Sequence, residues 1–68
     1  MRKFNDSDIG KYLIYEPTGE VGRLKSFENN RSIAWVVYKC GDDWENYQNY
    51  AGQATDYIAL QLRGVSNG

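Results

Sequence analysis

Histidine is absent from this 68-residue chain, cysteine and proline occur once each, and no apolar run nears the length of a membrane span. Each absence removes a class of function. Without His there is no Ser–His or Cys–His nucleophile. A single Cys40 closes no internal disulfide and nucleates no tetrahedral zinc site. Lys39 stands beside Cys40, but Asp42 and Asp43 follow and oppose thiolate formation, so a packed thiol is expected rather than a nucleophile. Asp42, Asp43 and Glu45 are acidic enough for a hard cation. However, "DDWE" lacks the alternating oxygen ligands and turn glycine of an EF-hand loop, and a solvated acidic loop is the default. Neither "PTGEVG" nor "KCGDD" matches a phosphate-binding glycine motif. The expectation is a non-enzyme without cofactor or metal.

The lone thiol fits a reducing compartment, and "MRKFNDSDIG" lacks the apolar stretch of a signal peptide, so a cytoplasmic protein without membrane contact is expected. Residues 1–68 suit one small domain, ordered over about 3–64, with the polar tail "VSNG" expected to fray. A chain this short buries only about 60% of its unfolded surface. With disulfide and metal excluded, the remaining aids are a dense aromatic core and homo-oligomerisation. Aromatics at 15%, six of them Tyr, suit both. A net charge of −1 argues against a protein that coats nucleic acid, which depends on neutralising phosphates. Four of the eight cations nevertheless fall between residues 23 and 39 (Arg23, Lys25, Arg31, Lys39), so a local basic strip is possible.

"KYLIY" (11–15), "VGRLKSF" (21–27) and "IAWVVYK" (33–39) read as three strands of an antiparallel meander, separated by the turn sequences "EPTGE" and "ENNRS". Gly22 inside the second run signals a bulge or a close backbone approach. In the third run Ile33, Trp35 and Val37 share one face and Ala34, Val36 and Tyr38 the other, so both faces are apolar. Such a strand is covered on both sides. The second cover is either the 40–57 loop or another subunit. Thr55 and Asp56 suit the cap of one helical turn, and "IALQL" (58–62) alternates as a short closing strand. The fold class expected is all-β: a small barrel of four or five short antiparallel strands with one 3-10 or short helical turn.

The segment "CGDDWENYQNYAGQAT" (40–55) carries the candidate binding residues. Trp44, Tyr47 and Tyr50 recur at three-residue spacing, which aligns them on one side of a 3-10 turn. Asn46, Gln48 and Asn49 lie between them. Aromatic rings stack bases, and amides match a purine edge. The alternative is that the rings fold inward over an open barrel end. Residues 40–56 hold four carboxylates and no cation, so a nucleotide's phosphates would need Arg23, Lys25, Arg31 or Arg63, from the same chain or a neighbouring copy. The ligand-binding set is therefore Arg23, Lys25, Trp44, Asn46, Tyr47, Gln48, Asn49 and Tyr50.

The string "DIGKYLIY…TGEVGRLKSF…AWVVYKCGDDWENYQNYAGQATD" resembles a group of small proteins of tailed bacteriophages and prophages that carry a W-[DE]-N-[YF]-x-N-Y segment. "GEVGRL" is similar to the glycine-containing strand of KOW and SH3-like barrels. The resemblance covers about residues 8–60 and implies an SH3-like barrel in a phage accessory protein of the host cytoplasm. It transfers no site residues. Phage proteins of this size often counter host defences, so three functions are open. One is a homo-oligomer sequestering a nucleotide-type immune signal such as an ADP-ribose derivative. The second is an adaptor or inhibitor gripping a host defence protein. The least favoured is a nucleic-acid-associated KOW-like module.

Overall fold

A computed structural model describes residues 3–62. Five antiparallel strands form one sheet: β1 (Tyr12–Tyr15), β2 (Glu20–Glu28), β3 (Ile33–Val37), β4 (Gln53–Asp56) and β5 (Leu60–Leu62). Their order is β4-β3-β2-β1-β5, so the meander closes by returning β5 to β1, as in an SH3-like barrel. Helical content is confined to 3-10 turns at Asp6–Asp8, Trp44–Asn49 and Tyr57–Ala59. The all-β expectation holds. The tail from Val65 and the cation Arg63 lie outside the described residues.

The inner face collects Leu13, Leu24, Ala34, Val36, Tyr57, Leu60 and Phe4 into one buried cluster. Phe4 meets Tyr57 edge-to-face at 4.8 Å. Asn29 pins this corner: its Oδ1 accepts from the Phe4 amide and the Tyr57 hydroxyl, and its Nδ2 donates to the Phe4 carbonyl. The amide is thus used as a side-chain clamp. The left-handed residue of that turn is Ser32 (φ 55°).

Gly22 marks a close approach rather than a bulge. A Cβ there would lie 2.5 Å from Val36 Cγ1 and 2.7 Å from the Val37 carbonyl. The register shift of β2 against β3 falls instead between Leu24 and Ser26.

β3 is central, flanked by β2 and β4. Its second face is covered at one end within the chain: Val37, Cys40 and Tyr47 form a separate buried cluster, with Trp44 and Tyr50 packed against it, while Ile33 and Trp35 of that face are half-buried. Cys40 is a packed thiol, 4% exposed. β4 lay inside the expected 40–57 loop. It pairs with β3 through its backbone while only Thr55 of its four residues is buried, so it has no apolar pattern. The closing strand is shorter than expected. Ile58 is 89% exposed in the 3-10 turn, and Leu60 after it is buried. Asp56 occupies the cap position of that turn but makes no side-chain capping hydrogen bond.

At the chain's start, Asp8 accepts from Lys11 Nζ at 2.8 Å and from the Asn5 amide at 2.9 Å. The Lys11 hydrogen bond, then the Asn5 N–H, hold its carboxyl below the ordinary value of 3.8. A depressed folded-state value stabilises the fold above the unfolded value, and that contribution is lost as pH falls through the folded one. Denaturation midpoints should therefore fall on acidification below about pH 4. Asp8→Asn should lower the midpoint at neutral pH and flatten that part of the acid dependence. An unchanged acid profile in Asp8→Asn would remove Asp8 from this account.

Candidate functional site

The segment after β3 turns sharply, with Gly41 and Asp42 both in the left-handed region, and enters the 3-10 turn Trp44–Asn49, kinked at Asn46. Asp43 precedes this turn, and its carboxylate accepts from Asn46 Nδ2 at 2.9 Å and from the Tyr50 hydroxyl at 3.0 Å. That second bond pushes the Tyr50 hydroxyl above its ordinary value of 10.0. Among the described residues no cluster of three His, Cys, Asp or Glu side chains is arranged to hold a metal.

Six of the eight residues selected from sequence meet in one network, with two cations of β2 at its centre. Arg23 donates from Nε to the Gly10 carbonyl at 2.7 Å and from Nη1 to the Trp44 carbonyl at 2.8 Å. Its guanidinium lies between two rings, 4.3 Å from the Tyr47 centroid and 5.0 Å from that of Tyr12. Gly10 accommodates this approach at φ 93°, where a Cβ would come 3.2 Å from Arg23 Nη2. Lys25 Nζ donates to the Tyr50 carbonyl at 2.6 Å. Gln48 Nε2 donates to the Tyr47 hydroxyl at 3.0 Å and reaches the Lys25 carbonyl at 3.4 Å.

These contacts fix what the segment can do. Tyr47 is buried, 8% exposed, and Trp44 and Tyr50 are half-buried against the outer face of β3. Trp44 meets Tyr12 edge-to-face at 5.8 Å. Asn46 and Asn49 are exposed and lie at the edge of the network. Arg31 pairs with Glu28 at 2.9 Å. The aromatic segment is a cover held down by Arg23 and Lys25, and both cations end on main-chain carbonyls.

A different surface is open. A groove of about 380 Å3 runs beside β4, floored by Tyr15 and Tyr38 and bordered by Ile58 and Ala59 of the last 3-10 turn. The two Tyr rings meet edge-to-face at 6.2 Å. The Thr55 hydroxyl donates to the Gln53 carbonyl, so the Tyr38 hydroxyl donates to Thr55 Oγ1 at 3.0 Å. Burial above all pushes the Tyr38 hydroxyl upward, and the Glu20 carboxylate adds to this, so Tyr38 stays protonated and remains a donor. Glu20 and Asp56 also line it, and among the described residues the lining contains no Lys or Arg. The sequence signals missed this groove, because it depends on β4 and on side chains that are far apart in the chain. The exposed Ile58 beside Asp56 is its only local trace. No helix among the described residues is long and apolar enough to cross a membrane.

No family model, curated protein or solved structure matches the chain.

Proposed function

We propose that the chain is a non-catalytic binding module whose partner is a protein, received at the groove beside β4. One observation carries this: Arg23 and Lys25, the cations nearest the aromatic segment, donate to the carbonyls of Gly10, Trp44 and Tyr50. A nucleotide sequestered there would have to take both cations from those carbonyls and part the rings from β3. Removing a partner from a half-buried carbonyl costs about 1–3 kcal/mol each, which the ligand's own contacts would first have to offset. Binding at the groove requires no such rearrangement, since the space its residues line is already open. The same engagement of Arg23 and Lys25, with Arg31 paired to Glu28, weighs against a nucleic-acid surface on β2. The likeness to phage proteins favours a host defence protein as partner, so the proposed role is a counter-defence inhibitor or adaptor.

Site-specific photocrosslinking in bacterial lysate tests this proposal. A photoreactive residue at the exposed Gln53 should capture a discrete protein, and one at the exposed Asn49 should not. Capture only at Asn49, or of nucleotide rather than protein, would contradict it.

A further inference from the structure

The groove's chemistry narrows the class of partner. Its floor is the aromatic pair Tyr15 and Tyr38, Glu20 and Asp56 stand at its rim, and no cation lines it among the described residues. Both carboxylates are on exposed residues, and among the described residues neither forms an ion pair; the pairs present are Lys11–Asp8 and Arg31–Glu28. Asp56 stands where a capping residue stands, yet its side chain caps nothing. Its carboxylate is therefore free to act outward. Among the described residues β4 is an edge strand, paired with β3 on one side only, and its other edge borders the groove.

We propose that the groove takes a basic side chain, Arg or Lys, carried by an extended segment of the partner protein laid along the β4 edge. The segment adds a strand through main-chain hydrogen bonds. Its side chain lies over the Tyr15 and Tyr38 rings, where the cation meets the ring faces, and its charged end reaches Glu20 and Asp56. Ile58, 89% exposed, covers the aliphatic stem. A second copy of this chain is the wrong occupant. Pairing β4 with β4 would bring the copy's own Asp56 to a groove that already holds two carboxylates. This inference rests on the protein-binding proposal and adds the charge of the ligand to it.

The test uses two blocked pentapeptides, acetyl-Thr-Val-Arg-Val-Thr-amide and its counterpart with citrulline for Arg, which keeps the shape and loses the charge. Each is titrated into the full chain and followed by amide chemical shifts. The Arg peptide should shift resonances of Glu20 and of residues 53–59, and citrulline should weaken binding about tenfold. Glu20→Gln and Asp56→Asn should each weaken the Arg peptide severalfold and leave the citrulline peptide unchanged. Equal binding of both peptides at the groove would overturn the basic-side-chain inference while leaving a protein-binding groove. Shifts confined to residues 44–50, or no response to the Arg peptide, would overturn it outright. So would groove shifts that depend on the protein's own concentration without peptide, the signature of a second copy. Silence here together with a silent crosslinker at Gln53 would remove the protein-binding proposal as well.

Discussion

Gly22→Ala is expected to destabilise the fold by at least about 3 kcal/mol, near the top of the range for overpacking. The added methyl would lie 2.5 Å from Val36 Cγ1, 2.7 Å from the Val37 carbonyl and 2.9 Å from Tyr38 Cδ1. None of these can withdraw cheaply. Val36 and Val37 are fully buried, and Val37 is held in register against Arg23, the neighbour of Gly22. Stability of roughly 0.05–0.15 kcal/mol per residue leaves a chain this short little margin. Equilibrium urea denaturation should therefore show most of the Gly22→Ala population unfolded, or a midpoint near zero denaturant. A loss under about 1 kcal/mol would mean that β2 and β3 can separate at this point.

The second large effect is assigned to Arg23. Arg23→Ala leaves the Gly10 and Trp44 carbonyls without their donor and removes the cation from between Tyr47 and Tyr12. Two hydrogen bonds from a charged donor, discounted for partial exposure, together with the cation–π contacts put the cost at about 2–4 kcal/mol. The loss should be uneven. Amide exchange at residues 44–50 should accelerate more than at β1 and β2, because the cover loses its fastening while the inner core stays intact. Arg23→Lys should recover only a minor part, since an ammonium cannot bridge both carbonyls and lie flat between two rings. If Arg23 were instead a phosphate ligand, Arg23→Ala would leave stability within about 0.5 kcal/mol of wild type and act only on binding.

Both effects depend on features of unequal legibility in the sequence. The glycine at position 22, with a strand pattern on both sides, was readable as either a bulge or a close approach, and only the packing of Val36 and Val37 against it decides for the second. The two apolar faces of β3 were equally readable, but not what covers the second one. The spacing of Trp44, Tyr47 and Tyr50 pointed to a 3-10 turn with aligned rings, and that turn is present. Whether the rings faced in or out depended on Arg23 and Lys25, some twenty residues earlier in the chain, and on the curl that brings β2 beneath the segment. β4 was illegible for a different reason: Gln53, Ala54 and Asp56 are exposed, and pairing with β3 is written in the backbone rather than in side chains. Without β4 there is no groove, so the sequence directed attention to the aromatic segment. Six of the eight residues meet there, and the two cations among them donate to main-chain carbonyls.

The most direct measurement of that central claim is an NMR titration of the wild-type chain with ADP-ribose and a panel of cyclic dinucleotides. The readouts are the Trp44 indole N–H and the side-chain amides of Asn46, Gln48 and Asn49. With the segment clamped by Arg23 and Lys25, none of these resonances should shift at millimolar nucleotide. Saturable shifts of the Trp44 indole and the Gln48 amide, lost in Arg23→Ala, would show that the segment opens to hold a nucleotide and would contradict the account.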